Sequence, residues 1–538
     1  MKNSVALDIK NLSISFFEKG IKKSVLSGFS FSFKKNKTTA IVGPSGCGKS
    51  LLSLACLNLL PKTKNISVSG NIFINNKTCV LGLKKNKNLS YRGIYTSIIF
   101  QDPFTSLNPV YTCGYQLQEC FLKKNKLNAK NLYRRCLSVF KSVELEDPEK
   151  IFNSYPHQLS GGQLQRVLIS FSLAFNSKII IADEITTALD PYVKKQILVL
   201  LKKICKKNKI SLLLISHDIS VVKNYSDEIL ILKDGNILEF GKTSFVLKNP
   251  KNIFTKSLLI CKPLIKNNPF FLPFLKKNKI IKKKPILLKK NISKNIIELK
   301  NLSVNYKNFI ALNNINFCLK KNDIIGIIGR SGSGKSTLSN IISLVNRNYS
   351  GDFYYKGKNL KNLSKNDIIN INKKIQLVFQ NPDSSLNPKQ KIIDCLKEVL
   401  FVNNKILNSD KIILKYLKKV ELNKDILNKY PHQLSGGQKQ RISITRILLS
   451  EPEIIIFDES VSALDINTQS YVLNLIKNLY INNNYTIIYI SHDISTVSFL
   501  CNKIYVLNKG FIVDQFLKEN LFDKKRHSET YKLINNII

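Results

Sequence analysis

Residues Tyr155–Gln163 read YPHQLSGGQ, and the same nine letters recur at Tyr430–Gln438. Ser160 and Ser435 stand 275 positions apart, and the same interval separates Glu184 from Glu459 and His217 from His492. A constant offset across three separated landmarks marks an internal duplication, which sets the frame for every local signal. One LSGGQ alone is a glycine turn of little specificity. Two identical nine-residue copies at a fixed spacing are a strong signal.

Length and composition leave room for such a duplication. A chain of 538 residues is long enough to bury more than one core. Hydrophobic residues at 43% and charged residues at 22% are ordinary for a globular protein, but a formal net charge of +48 is not. That charge suits a nucleic-acid or anionic-membrane partner. A drift of the whole composition towards Lys, Asn and Ile accounts for it better, because the lysines are scattered rather than gathered on one motif. Eleven cysteines include no CxxC pair, and Cys47 lies inside a glycine-rich loop, a pattern of reduced thiols in a cytosolic compartment. Asp8 and Lys10 interrupt the N-terminal apolar residues, so no signal-peptide core is expected there. No apolar run approaches the roughly 20 residues that span a bilayer. The expectation is a soluble chain whose membrane role depends on partner subunits.

In the first half, Val5–Phe17 and Phe29–Phe33 alternate apolar and polar residues as strands do. The apolar strand TAIV then runs into Gly43, Pro44, Ser45, Gly46, Cys47, Gly48, Lys49 and Ser50, and Leu51–Leu60 reads as the helix that such a loop opens. In this arrangement backbone N–H groups and a helix N-terminus cradle phosphate, Lys49 reaches the β/γ-phosphates and Ser50 ligates Mg²⁺. A second apolar strand ends at Gln101. Gly114 to Ser154 reads as a charged helical lobe, and a helix from Gln163 to Phe175 follows the Gly161–Gly162 turn, a second anion-binding helix end. Ile179–Glu184 is a buried parallel strand ending in two carboxylates, with Asp183 placed to hold Mg²⁺ through water and Glu184 to polarise an attacking water. Another apolar strand delivers His217.

The second half repeats the series. Gly329, Arg330, Ser331, Gly332, Ser333, Gly334, Lys335 and Ser336 form its phosphate loop, Gln380 ends its strand, and Asp458, Glu459 and His492 follow. Ser435, Gly436, Gly437 and Gln438 repeat Ser160, Gly161, Gly162 and Gln163, and Tyr306 falls opposite Phe16. Asp190 and Asp465 close matching ALD turns. His157 and His432 have no chemistry to perform in this scheme and read as structural. Between the halves, four prolines and three lysine clusters predict an extended, solvated linker with some packing from Phe270, Phe271 and Phe274. The expected division is 1–262, a linker 263–294, and 295–538.

Phosphate loop, glutamine loop, LSGGQ, DE pair, ALD turn and histidine, in that order and twice, resemble the nucleotide-binding domains of ABC transporters over nearly the whole chain. The SLNP turns at Ser106–Pro109 and Ser385–Pro388, together with YPHQLSGGQ, resemble the peptide/nickel importer branch, and Asn249–Leu259 is similar to a degraded form of that branch's tail. Two cassettes in one chain resemble the fused ATPases of oligopeptide and microcin C importers. The resemblance implies an α/β fold of two tandem P-loop NTPase domains, each a mainly parallel sheet with an antiparallel β subdomain and a helical subdomain. It implies ATP and Mg²⁺ as cofactors, and a head-to-tail pairing of the two halves. One ATP site would join Gly43–Ser50, Gln101, Asp183, Glu184 and His217 to Ser435–Gln438. The other would join Gly329–Ser336, Gln380, Asp458, Glu459 and His492 to Ser160–Gln163. Ser50, Gln101 and Asp183, and Ser336, Gln380 and Asp458, would face the metal, while Phe16 and Tyr306 would stack on adenine. The implied partners are two membrane permeases and a substrate-binding protein, with the chain peripheral on the cytoplasmic face of the inner membrane and no nucleic acid. Ile185 and Ser460 replace the proline usual after the DE pair, and Asn176–Ser177 replaces an Asn-Pro, neither at a catalytic group. A tandem ABC protein acting on ribosomes or nucleic acid is the competing class, which the +48 charge would suit. A non-hydrolysing scaffold is disfavoured by both intact Lys, Glu and His sets.

Overall fold

The computed structural model describes all residues except 1–4, 19–20, 62, 64, 75–77, 82–90, 123–127, 187–188, 267–268, 277, 284–293, 307–308, 404–406, 463, 484 and 536–538. Lys277, Lys284 and Lys289–Lys290 of the basic clusters, and Ala188 and Ala463 of the ALD turns, lie outside the described residues. The chain divides into two compact units, Met1–Leu259 and Ile260–Ile537.

In the first unit the strands are β1 (Val5–Glu18), β2 (Ile21–Lys34), β3 (Thr38–Val42), β4 (Ile66–Ile74), β5 (Thr78–Cys79), β6 (Thr96–Ile99), β7 (Ile179–Asp183), β8 (Ser211–Ile215), β9 (Glu228–Lys233) and β10 (Asn236–Lys242). Two sheets result. One is antiparallel, in the order β2-β1-β4-β5; the other runs β10-β9-β3-β8-β7-β6 and is parallel except where β10 pairs with β9. Strands β3, β7 and β8 are buried along their whole length, which accounts for their unbroken apolar spelling: a central parallel strand is covered on both faces. The sheet order brings the C-terminal ends of β3, β7 and β8 side by side, and these ends carry the phosphate loop, Asp183–Glu184 and His217.

The helices begin with α1 (Lys49–Cys56), which is shorter than the expected Leu51–Leu60 because the chain turns at Leu57 and Asn58 adopts a positive φ of 51°. The predicted helical lobe is α2 (Cys113–Leu122), α3 (Ala129–Ser142) and α4 (Pro148–Asn153). Then come α5 (Gly161–Ala174), α6 (Pro191–Lys207) and α7 (Ile253–Ile260).

A short hairpin, β11 (Phe274–Lys276) and β12 (Lys279–Ile281), opens the second unit's strands. The remaining strands are β13 (Asn295–Tyr306), β14 (Phe309–Lys320), β15 (Ile324–Gly329), β16 (Ser350–Tyr355), β17 (Lys358–Asn359), β18 (Ile375–Val378), β19 (Ile454–Asp458), β20 (Thr486–Ser491), β21 (Lys503–Asn508) and β22 (Phe511–Leu517). The sheets β14-β13-β16-β17 and β18-β19-β20-β15-β21-β22 repeat the first unit's strand order. The second unit's helices include α8 (Lys335–Ile342), α9 (Ile392–Val402), α10 (Ser409–Lys419), α11 (Gly436–Leu448), α12 (Ile466–Asn483) and α13 (Ser528–Asn535).

The described part of the connection is packed at Phe271–Phe274 and exposed at Leu264, Lys266, Lys276, Lys279 and Lys282, so the packing expected of its phenylalanines is more extensive than a few side chains. Phe271, Leu272 and Phe274 are buried, and α12 holds this segment by its backbone. Asn474 donates to the Leu272 carbonyl at 2.8 Å and accepts from the Leu272 N–H at 2.9 Å, while the Ser470 hydroxyl donates to the Cys261 carbonyl at 2.6 Å. Prolines remove some donors of this segment, and polar side chains of α12 supply partners for the groups that remain.

Candidate active sites

Each unit builds the same cluster at its strand ends. The glycines of the phosphate loop meet two separate demands. Gly48 and Gly334 stand at the N-caps of α1 and α8 with φ of 100° and 103°, a conformation that side-chain-bearing residues rarely adopt. Gly43 and Gly329 lie so close to the carbonyls of Leu232 and Leu507 that a Cβ would fall within 2.2 and 2.3 Å of the oxygen.

Lys49 and Lys335 are buried. Lys49 Nζ donates to the carbonyls of Gly43 and Pro44 at 2.9 Å, and Lys335 Nζ to those of Gly329 and Arg330 at 3.0 and 2.9 Å. The same ammonium groups approach Glu184 and Glu459 at 3.9 and 3.8 Å. His217 Nδ1 lies 3.2 Å from Glu184 Oε2, and His492 Nδ1 lies 3.3 Å from Glu459 Oε2. Gln101 and Gln380 are both exposed just beyond β6 and β18, and Gln380 Nε2 donates to Glu459 Oε2 at 3.0 Å. Burial favours the protonated form of Glu459, but the hydrogen bond and charge of His492 and the charge of Lys335 together hold its pKa below the ordinary carboxylate value.

Glu184 and Glu459 have positive φ of 48° and 44°, and both backbones are pinned by hydrogen bonds to Ile215 and Ile490 carbonyls. Non-glycine residues persist in that region only where the surroundings enforce it, and such strain gathers at functional positions. Beside them, Asp183 and Asp458 accept from Ser53 and Ser339 at 3.3 and 3.0 Å. Burial pushes both aspartates' pKa values up, against the hydrogen bonds from Ser50 and Ser53, and from Ser339 and Ser336. Asp183 Oδ1 is buried without a hydrogen-bond partner, an orphaned acceptor beside a serine hydroxyl that fits a hard divalent cation such as Mg²⁺.

Ser160 and Ser435 cap α5 and α11, each in a reciprocal box with the glutamine three residues on. Gln163 and Gln438 side chains accept from the serine N–H at 2.9 Å, and the serine hydroxyls accept from the glutamine N–H at 3.4 Å. The serines stay exposed at the helix starts. Gly162 and Gly437 are required because a Cβ would meet Val193 at 2.6 Å and Thr468 at 2.2 Å. Of the two expected adenine platforms, Tyr306 is 47% exposed with its hydroxyl accepting from Asn346, while Phe16 is half-buried against the first unit's core. His157 and His432 stack on Tyr155 and Tyr430.

A profile of the ABC transporter family matches residues 26–187 and 312–462, once in each unit. The chain belongs to the ABC transporter family. It is an ABC-type transport ATPase, an α/β protein with two P-loop NTPase cassettes. It is 32% identical, over 98% of both chains, to the uncharacterized ABC transporter ATP-binding protein YejF of Escherichia coli K12. It is 30% identical to the glutathione import ATP-binding protein GsiA of the same strain, over 98% of this chain and 89% of that one. The structure of an archaeal ribosome recycling factor, aABCE1, in complex with the stalk protein aP1, overlays 94% of the chain with a TM-score of 0.57 at 19% identity, a likeness of fold alone.

Sequence reasoning missed several parts of these ABC cassettes. Ser53 and Ser339, one turn into α1 and α8, were legible only as the 3.6-residue neighbours of Ser50 and Ser336. A second copy of the tail was also missed. Glu239 accepts from Thr255 and from the N–H groups of Lys251 and Asn252, and Asp514 accepts from Thr530 at 2.8 Å and from the His527 N–H at 2.9 Å. The same 275-residue offset relates Glu239 to Asp514 and Thr255 to Thr530, which was the available signal.

Proposed function

We propose that this chain energises import of peptides or a related small solute, using two ATP sites formed head to tail between its cassettes. The observation that carries this reading is the duplicated set of buried lysine, paired carboxylates and histidine, with an exposed LSGGQ helix end in each unit. In site one, Gly43–Ser50 and Lys49 hold the phosphates, Glu184 polarises the attacking water and His217 orients Glu184, while Ser435–Gln438 close on the γ-phosphate. In site two, Gly329–Ser336, Glu459 and His492 do the same with Ser160–Gln163. Ser50, Gln101 and Asp183, and Ser336, Gln380 and Asp458, would hold Mg²⁺, which supplies charge neutralisation at the phosphates. Phe16 and Tyr306 stack on adenine. The closed arrangement gains contacts to the γ-phosphate that the open one lacks, so ATP shifts the population towards closure and hydrolysis releases it.

Apolar side chains gather beside both glutamine loops. Phe100, Phe104, Val110, Tyr111 and Tyr115 are exposed in the first unit, as are Phe379, Phe401 and Val402 in the second. Such surfaces on a charged protein support hydrophobic partners, here two membrane permeases served by a substrate-binding protein. Among the described residues no helix is long and apolar enough to cross a membrane. The chain then sits peripherally on the cytoplasmic face of the inner membrane. The GsiA likeness supports a small peptide-like solute.

The test is detergent extraction and pull-down of the tagged chain from its own cells, with and without nuclease. Recovery of two strongly hydrophobic subunits, unaffected by nuclease, is expected. Recovery of ribosomes or RNA that nuclease removes, with no membrane protein, would overturn the importer reading.

A further inference from the structure

The packed connection reaches the second LSGGQ turn through an unbroken set of contacts within the second unit. The ring of Phe274 on β11 meets Tyr471 of α12 edge-on, with centroids 5.3 Å apart. Lys276 ends β11 and Lys283 follows β12, and both ammonium groups lie 3.4 Å from the Glu421 carboxylate just beyond α10. The Tyr471 hydroxyl faces that same carboxylate and the Arg441 guanidinium, which lies 4.9 Å from the centre of the Tyr471 ring. Arg441 belongs to α11, the helix that Ser435 caps. Its Nε donates to the Gly437 carbonyl at 3.1 Å and its Nη1 to the Glu421 carbonyl at 3.0 Å. Gly437 is the third residue of the SGGQ turn, so the contacts end on the backbone that aims the helix start.

The first cassette is built differently at the equivalent positions. Arg166 donates to the Val143 and Glu144 carbonyls at 2.9 and 3.1 Å, and Glu144 is paired with Arg166 and with Lys203 of α6, a residue of its own cassette. At the 275-residue offset, Gln196 stands for Tyr471, Lys195 for Ser470 and Val199 for Asn474, and Val199 is 50% exposed. The face of α12 is thus fitted to the connection and that of α6 is not.

We infer that the connection is a positioning element for ATP turnover: Phe274, Lys276 and Lys283, acting through Tyr471, Glu421 and Arg441, hold the second LSGGQ turn in the geometry that completes an ATP site. This rests on the head-to-tail reading above, under which the affected site is the one built on Lys49. Each contact in the set is modest, but together they fix two elements, α10 and α12, against the arginine that orients the turn. The connection therefore biases one ATP site and not the other.

The experiment uses the full chain carrying Glu184→Gln and Glu459→Gln to halt hydrolysis, with Mg²⁺ and radiolabelled 8-azido-ATP cross-linked by light. A protease site placed within residues 284–293 then separates the halves, and label is counted on each. Tyr471→Phe, and separately Lys276→Gln with Lys283→Gln, should lower label on the first half by roughly fivefold, the weight of one hydrogen bond or ion pair, and leave the second half unchanged. Lys276→Arg with Lys283→Arg should restore it. Equal loss on both halves, loss on the second half alone, or no loss would overturn the inference. Ser435→Arg reports on the underlying reading by itself: it should strip the first half, and stripping the second instead would refute the head-to-tail arrangement whatever the linker variants do.

Discussion

Replacing Asn474 with leucine tests how firmly the connection is held. Asn474 is 2% exposed and makes two hydrogen bonds to the backbone of Leu272, itself 1% exposed. Leucine has the same branching and number of side-chain heavy atoms and is the bulkier of the two, so no cavity forms, but the Leu272 N–H and C=O lose their partner together. An orphaned buried backbone group costs about 1–3 kcal/mol, and two of them set the expected loss near ~3 kcal/mol. That loss falls on the equilibrium between the docked and undocked segment, since the undocked backbone regains water. At about 1.4 kcal/mol per tenfold, the undocked population rises by about 100-fold. Brief trypsin digestion of the native full chain reads this directly, with cleavage after Lys266 and Lys276 quantified by mass spectrometry, because cleavage tracks the open population when opening is fast. Val199→Leu, on the matching face of α6, should leave these cuts unchanged. A rise of less than about threefold after Asn474→Leu would refute the argument that this side chain holds the connection by its backbone.

Three further outcomes are expected. Lys49→Ala and Lys335→Ala should each weaken fluorescent-ATP binding at one of two sites by roughly 10–100-fold, the range for a charge-assisted contact; a titration still showing two undiminished sites would contradict the assignment of these lysines. Glu184→Gln and Glu459→Gln should each cut steady-state ATP turnover, and if one abolishes it while the other leaves it unchanged, the chain does not have two active sites. Burial, reinforced by the charge of Lys518 and opposed by Cys501, lowers the pKa of Lys477 to about 8. Between that value and the ordinary lysine value of about 10.4, the unfolded chain binds a proton that the folded one lacks, so stability rises with pH across this window and is lowest below it, by up to ~3 kcal/mol. Urea midpoints at pH 7.5 and 9.5 measure the rise, and Lys477→Met should flatten it, leaving the smaller contribution of Lys518, whose pKa is lowered in the same direction.

Much of this protein is determined by its sequence alone, because the deciding signals are local. Repetition of YPHQLSGGQ at a constant offset established two homologous units. Unbroken apolar runs such as Ile179–Ala182 and Leu212–Ile215 specified buried parallel strands, and glycines at Gly48 and Gly334 specified a loop that only an unbranched backbone can form. The order of motifs along the chain was enough to name the family, since strand, loop and helix must alternate for the phosphate cradle to exist. Tertiary structure decided the rest. Glu184 and Glu459 sit at positive φ because the neighbouring strand captures their N–H, which no local preference of glutamate foretells. The segment 263–283, broken by prolines and rich in lysine, has neither helical nor strand periodicity, so its own letters describe a solvated tether. Its stretch Phe271–Phe274 is buried because α12 presents Ser470, Tyr471 and Asn474 roughly 200 residues away, and partners that distant in the chain leave no local pattern to read.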